Sequence, residues 1–432
     1  MSKAAFRGGV HPPEHKEATA ALPIEWMPVP ARLVVPMSQH LGAPCAPLVA
    51  AGDRVRRGQV IGSVDAMVSA PIHSPVDGEV TSVGTCLTAG GMRVPCVNIT
   101  PDAEQDLASF EPVPDGDVRA TVRGAGIVGL GGATFPSAVK LSPPKGVDVG
   151  TVILNGCECE PYLTCDHRLM VESADRVIAG AKIMAETIGA KRVVIGVEEN
   201  KPDAIAALRA AAGEGIEVRS LVTRYPQGAE KQLIWAFLKT EVPHGKLPAA
   251  AGALVHNVAT AAAIADAVEL RKPLTERVVT VTGRVARPGN YRVLLGTLVS
   301  DLIEHAGGFS GDVGRVVAGG PMTGPALADL DVPIAKGTSG IVVFGPDEIA
   351  PLVEGDQPCI RCGRCSEGCP MFLQPYLIAT HANRRDWTSA GLFHPVDCIE
   401  CGVCSYSCPT RRPLLQLIRL AKAAAMAKGA KL

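Results

Sequence analysis

Two stretches near the end of the chain, "CIRCGRCSEGCP" at 359–370 and "CIECGVCSYSCP" at 398–409, constrain its fold more than any other feature. Each reads C-x2-C-x2-C-x3-C-P, a spacing that binds [4Fe–4S] clusters in pairs. The tight spacing lets three thiolates of one loop cap three irons, and the fourth cysteine of each run reaches across to the other cluster. Cys359, Cys362, Cys365 and Cys408 are therefore expected to hold one cluster, and Cys398, Cys401, Cys404 and Cys369 the other. Pro370 and Pro409 close the loops with a fixed φ and no N–H, while Gly363 and Gly402 let backbone approach the sulfides. One C-x2-C pair would leave zinc an even alternative; two complete runs ending in proline argue against it.

The segments "QPYLIATHANRRD" (374–386) and "LLQLIRLAKAAAMAK" (414–428) carry Leu, Ile and Ala on one face and basic residues on the other. Both are predicted helices, so the cluster-binding module is expected to be α-helical. The apolar stripe of the second could dock a partner or a membrane surface; packing on its own domain is the favoured reading.

The chain has 432 residues, enough for two to four domains, and a formal charge of −1, which leaves no electrostatic footprint for nucleic acid. The richest apolar window, "ALVHNVATAAAIADAV" (253–268), is interrupted by His256, Asn257 and Asp266, so no transmembrane span is expected. "MSKAAFRGGVHPPEHKEA" at the start lacks the apolar core of a signal peptide, and a reducing, cytosolic setting is expected. Fourteen cysteines then need a use other than disulfides. Three of them, Cys157, Cys159 and Cys165, lie in "ILNGCECEPYLTCD" (153–166), a C-x-C-x5-C spacing that suits neither iron–sulfur nor common zinc sites. Cys157 and Cys165 read as packing residues, with a tuning role for Cys159 left open. The weight of this loop falls on Asn155, Glu158 and Glu160.

Further upstream, "AAGDRVRRGQVIGSV" (50–64) and "APIHSPVDGEVTSVG" (70–84) look like the two halves of a biotinyl/lipoyl-type barrel-sandwich, with turns at Gly52-Asp53 and Asp77-Gly78. The stretch between them, "SVDAMVSAPIH", has no lysine, so a swinging carrier arm is not expected. "TVRGAGIVGLGGATFPSAVKL" (121–141) contains a formal G-x-G-x-x-G match, but it follows a helix-like segment and runs into more glycine, against a dinucleotide fingerprint. Its glycines still open backbone N–H groups to a phosphate or a flat ring, with Lys140 placed to meet an anion. Residues 150–270 alternate strands and helices, predicting a parallel sheet whose carboxyl ends carry "NGCECEPYLTCD", "YPQGAE" (225–230) and "HNVAT" (256–260). Residues 276–345 give strand, Pro288-Gly289 turn, strand and a helix with Leu298, Leu302 and Ile303 inward, a β-grasp-like outline.

This order of parts is a resemblance in itself. Gly129, Gly131, Gly132, Phe135, Pro136 and Lys140 resemble the glycine loop of the NADH- and FMN-binding subunit of respiratory complex I. Asn155 to Pro161, Tyr225 to Glu230 and His256 to Thr260 resemble three further loops of that protein, with Cys157, Ala229 and His256 as departures. With "FRGGVHPPEHK" and "SQHLGAPCAPLV" in front and the cysteine runs behind, nearly the whole chain resembles the RnfC family, the NADH-facing subunit of Rnf complexes.

The resemblance implies a multidomain α/β chain. Its parts would be an N-terminal tail (1–29), a barrel-sandwich hybrid without carrier lysine (30–108) and a Rossmann-like FMN/NADH-binding domain (115–272). An SLBB β-grasp domain (273–345) and an α-helical two-cluster ferredoxin domain (350–432) would follow. It implies FMN held by Gly129, Gly131, Gly132, Lys140 and Asn155, with Asn257 and Thr260 closing the pocket, and NAD(H) contacted by Phe135, Glu160 and Glu230. Glu158 and Tyr225 belong to the same loops. Hydride exchange between NAD(H) and FMN, then single-electron transfer through two [4Fe–4S] clusters, is the implied activity. Partners would be the other subunits of a membrane ion-translocating complex, among them a ferredoxin-like iron–sulfur subunit, with ferredoxin reached indirectly. The implied location is peripheral, on the cytoplasmic face of the cell membrane. The alternatives are a non-catalytic iron–sulfur docking subunit and a soluble cobalamin reductase of the same superfamily.

Overall fold

A computed structural model describes residues 6–349 and 357–427. Features expected at 1–5, 350–356 and 428–432, including the start of the tail and the ends of the ferredoxin domain, lie outside the described residues.

The centre of the molecule is a four-stranded, all-parallel sheet in the order Ile216–Leu221, Arg192–Glu198, Thr151–Gly156, Ala253–Asn257. Its two inner strands, Thr151–Gly156 and Arg192–Glu198, are near-continuous apolar runs because both faces are covered. Leu154 and Leu254 face the helices Ala174–Ile188 and Val258–Leu270, whereas Ile153 and Val255 face the helix Glu230–Leu238. The two helices on the first face nearly touch: a Cβ on Gly180 would stand 1.9 Å from the Ala261 carbonyl oxygen, so only glycine fits the crossing. The predicted 168–186 helix is two helices, Cys165–Glu172 and Ala174–Ile188, because Ser173 leaves helical geometry at φ −138°, ψ 39°.

In front of this sheet, Leu33–Pro36, Gly78–Leu87 and Arg93–Pro101 form antiparallel ladders around Leu33, Val35, Ile61, Ile72, Val80, Val97 and Ile99, the barrel-sandwich core. Gly52 turns at φ +92°, with Asp53 accepting from the Ala50 N–H. Asp77 is not at a hairpin tip; its carboxylate accepts the Arg57 N–H at 2.9 Å and anchors the neighbouring turn.

The β-grasp sheet has five strands in the order Ile24–Trp26, Gly289–Leu294, Glu276–Gly283, Gly340–Phe344, Arg315–Ala318. Its first member comes from the segment expected to be a tail, and it pairs in parallel with Gly289–Leu294. The rest of that segment is equally tied down. Gly9 N–H donates to Gly368 O in the first cysteine run, Val10 pairs with Tyr225, and buried Lys16 reaches the acidic loop. Residues 6–26 thus form a strap across three domains.

In the cluster-binding module, helices Pro375–Asn383 and Leu414–Ala427 pack through Ile378, Ala379, Ala382, Leu414, Ile418 and Ala421. The apolar stripe of the last helix is spent inside its own domain.

Lys336 sits fully buried where three domains meet, donating to Pro71 O at 2.8 Å and Gly126 O at 2.7 Å. Burial lowers its pKa to about 7. The unfolded chain keeps this proton up to the ordinary lysine value, so between about pH 7 and 10 it binds more protons than the native state. Stability should therefore rise with pH across that window, on the order of 1 kcal/mol per unit. Urea unfolding of holoprotein at pH 7.5 and 9.5 should show wild type gaining stability relative to Lys336→Met by this amount, since Lys16 and the buried thiols titrate in both proteins.

Candidate functional site

The carboxyl ends of Thr151–Gly156 and Ala253–Asn257 point toward the glycine loop. That loop is closed by its own backbone: Gly129 N–H donates to Phe135 O at 2.9 Å, and Thr134 N–H to Gly129 O at 3.1 Å. Phe135 contributes main chain here. Leu130 N–H is accepted by the Thr260 hydroxyl at 2.9 Å, and a Cβ on Gly131 would lie 3.3 Å from that of Asn257. Gly131, Asn257 and Thr260 are therefore brought together at the N-terminus of the helix Val258–Leu270, which Asn257 caps through the Ala259 N–H. Gly132 adopts φ +105°, and the N–H groups of Gly131 and Gly132 donate to nothing among the described residues. Free amides at a helix N-terminus are an anion cradle.

The loop forms one wall of a cleft of about 710 Å³. Glu160, the β-grasp loop 319–324, and Ile399 and Glu400 of the second cysteine run line other parts of it. A cleft of this size suits a dinucleotide or flavin.

Behind the loop, Lys140 ends the short helix Ser137–Lys140 and donates to Val255 O at 3.0 Å while pairing with the Glu230 carboxylate. Asn155 Nδ2 donates to Gly228 O at 2.8 Å, and its Oδ1 accepts the Cys157 N–H, so this asparagine locks two loops at the strand ends. His256 is buried and held neutral by burial and the nearby Lys140 charge, with neither ring nitrogen partnered among the described residues. Cys157 packs behind the sheet with Ile153, Val194 and Leu233, so this departure from the related loop is off the cleft. Ala229 precedes the helix Glu230–Leu238 as its N-cap and makes no side-chain cap bond.

Two of the acidic loop's glutamates have tasks that residue type alone does not reveal. Glu158 turns away from the cleft: its oxygens accept the N–H groups of Asp166 at 2.7 Å and His167 at 3.1 Å, capping the helix Cys165–Glu172. The resemblance places it in the flavin loops; a buried helix end with unpaired N–H groups is a stronger claim on a carboxylate. Glu158, Cys165 and Asp166 bring ligand-type atoms within 4.8 Å of one another, but these atoms are occupied by the cap and by Asn257 Nδ2 on Asp166. Glu160 accepts the Met322 N–H at 3.0 Å and the Thr323 hydroxyl, fastening the β-grasp loop over the cleft. Burial raises its pKa, against the hydrogen bond from Thr323.

Behind this loop Lys16 donates to the carbonyls of Glu158 and Glu160 at 2.9 Å each, and to Leu163 O. Nothing in the local pattern around Lys16 announces this; the contact spans more than 140 positions.

The acidic and β-grasp loops lead directly to the cysteines. Met322 O lies so close to Gly402 that a Cβ there would stand 2.5 Å away, and φ +76° also selects glycine. Tyr225 donates its hydroxyl to Cys401 O at 2.8 Å and lies beside Glu160 of the cleft. Burial raises the pKa of Cys398, Cys401 and Cys404, and Cys369 is close enough to add to each shift. Cys359, Cys362, Cys365 and Cys408 line a separate cavity of about 150 Å³, at which Cys359 and Cys362 are exposed. Two groups of four cysteines, one around a cavity and the other close together, supply the donor sets that two [4Fe–4S] clusters require.

Family models match the chain in series. The RnfC barrel sandwich hybrid domain matches residues 4–104, the Nuo51 FMN-binding domain 122–266, the SLBB domain 278–326 and a 4Fe-4S dicluster domain 358–411. The chain is 44% identical to the C subunit of the Na(+)-translocating ferredoxin:NAD(+) oxidoreductase complex of Acetobacterium woodii, over 98% of this chain and 97% of that one. It is 43% identical to the proton-translocating counterpart of Clostridium ljungdahlii, over 98% and 95%. Against the corresponding protein of the ion-translocating oxidoreductase complex of Rhodobacter capsulatus the identity is 43%, over 97% and 82%. Among solved structures, an NAD+-reducing [NiFe]-hydrogenase in the air-oxidised state shares the fold with TM-score 0.51 and 22% identity, over 71% of this chain and 62% of that one.

Proposed function

The chain belongs to the RnfC family, and from that premise we propose that it feeds electrons between NAD(H) and an ion-translocating Rnf complex through the cleft described above. The observation that carries the residue-level reading is the composition of that cleft. Gly131 and Gly132 line one side, and Ile399 and Glu400, which lie between Cys398 and Cys401, line another. The glycine loop and the loop between two second-run cysteines thus line one space.

When bound, FMN splits the electron pair of a hydride into single electrons, which [4Fe–4S] clusters carry one at a time. The protein's task is to hold, orient and exclude water. Gly131, Gly132, Asn257 and Thr260 hold the phosphate end at the helix N-terminus, and Lys140 supplies positive charge. Asn155 fixes the floor. Glu160 keeps the β-grasp loop closed over the cleft, and Phe135 holds the glycine loop in shape through its main chain. Tyr225 fixes the second-run loop against the flavin domain, which keeps the transfer distance short. The second-run set, Cys398, Cys401, Cys404 and Cys369, is the inner station. The first-run set, Cys359, Cys362, Cys365 and Cys408, is the outer one, with two exposed cysteines facing a partner.

That partner is expected to be a ferredoxin-like iron–sulfur subunit of the same complex. Among the described residues no helix is long and apolar enough to cross a membrane, so attachment at the cytoplasmic face is expected to run through the other subunits.

The test is anaerobic reconstitution with FMN, iron and sulfide, followed by NADH titration. Flavin bleaching with the appearance of reduced-cluster signals is the expected result. Full iron content without flavin uptake would replace this reading by a docking subunit, and reduction of cob(III)alamin by the isolated chain would favour a cobalamin reductase.

A further inference from the structure

The two cysteine runs are near copies, so places where they differ in charge stand out. Four positions after the last cysteine of each run, the first has Leu373 and the second has Arg412. The fourth cysteines are exchanged between sets. Arg412 therefore lies beside the set formed by Cys359, Cys362, Cys365 and Cys408, and it lines their cavity.

Arg412 is only 6% exposed, and its Nε and Nη1 have no hydrogen-bond partner among the described residues. A buried guanidinium left with unused donors is unfavourable unless an anion compensates it. A [4Fe–4S] core with four thiolates is such an anion, and its sulfurs accept hydrogen bonds. Among the described residues the inner set has no buried cation with unused donors. Its nearby cations, Lys422, which donates to Cys398 O at 2.9 Å, and Arg419, share the Glu400 carboxylate, and both are more open to water than Arg412. Leu373 packs against the apolar core of the module.

We propose that Arg412 is a positioning residue that donates hydrogen bonds to the outer cluster and raises its reduction potential above that of the inner one. Reduction adds one negative charge and no proton, so a fixed neighbouring cation favours the reduced state. An electron arriving from the cleft then runs toward the exposed face. The inference rests on the two-cluster reading above; iron content is therefore measured first, so that failed loading and failed tuning give different results.

The experiment is an EPR-monitored redox titration of the anaerobic holoprotein. In Arg412→Leu, the higher-potential cluster should shift downward by at least tenfold in its reduced-to-oxidised ratio, about 59 mV for a one-electron couple. The other cluster should stay put. Arg412→Lys, which keeps the charge, should recover part of the shift. Arg411→Leu removes the same charge from an exposed neighbour, where water screens it, and should do little. The proposal is overturned if Arg412→Leu moves neither cluster, moves both equally, or matches Arg411→Leu. Should the leucine variant lose the cluster, Arg412→Gln is titrated in its place. Loss in both variants would make Arg412 a structural requirement and overturn the tuning role.

Discussion

Replacing Cys369 with alanine is expected to empty the cluster site of the other run and leave its own intact. The chain should lose about four irons, and the lost signal should be that of the inner cluster. Cys408→Ala should do the converse. The expectation follows from Cys369 lying against Cys398, Cys401 and Cys404, while Cys408 shares a cavity with Cys359, Cys362 and Cys365. By iron content alone, single variants do not separate this from the simpler arrangement in which each run serves itself, because either arrangement loses one cluster. Pairs do. Cys369→Ala combined with Cys401→Ala should be no worse than either alone, near four irons retained, because both ligands serve one cluster. Cys369→Ala combined with Cys362→Ala should lose nearly all iron. Self-contained runs would reverse these two results. Iron analysis with low-temperature EPR on the four proteins decides between them, and NADH-driven electron delivery should fall to background wherever the inner cluster is gone.

What could be read from the sequence divides by the range of the contacts. The cysteine runs and the parallel strands are local patterns, and spacing or apolar periodicity within about twenty residues is enough to expose them. The strap at residues 6–26 is not legible, because its short strand Ile24–Trp26 finds a partner only at Gly289–Leu294 and carries no alternation of its own. The same holds for the cations that join the domains. Lys16 serves the carbonyls of the acidic loop, Arg57 pairs with Glu276 at 2.6 Å, and Lys336 donates to Pro71 and Gly126. Each is buried, and in composition each looks like a surface charge. Their partners are mostly main-chain oxygens, which every residue has, so no residue type in the sequence marks the contact. Glu158 departs from its expected place for a related reason. Glu160 of the same motif lines the cleft, but helix-capping geometry turns Glu158 toward the N–H groups of Asp166 and His167.

Lys140→Ala is expected to weaken FMN retention by roughly ten- to a hundredfold, the loss of one charge-assisted contact of about 1.5–3 kcal/mol. The pairing of Lys140 with Glu230 makes the test sharper. If that pair holds the lysine back from an anion, Glu230→Gln should by itself tighten FMN binding several-fold in the absence of NADH. The gain should vanish in the Lys140→Ala background, where there is no cation to release. A Glu230 that instead contacts flavin directly would show the opposite sign, with Glu230→Gln weakening FMN whether or not Lys140 is present. Fluorescence titration of the apoprotein with FMN, for the two single variants and the double, separates the cases. The lysine also donates to Val255 O of the edge strand Ala253–Asn257, so its removal takes away a hydrogen bond to the sheet as well as a charge. Lys140→Met, which keeps the apolar stem, should match Lys140→Ala in flavin affinity while retaining more stability. That outcome would assign the flavin loss to the charge and the stability loss to packing.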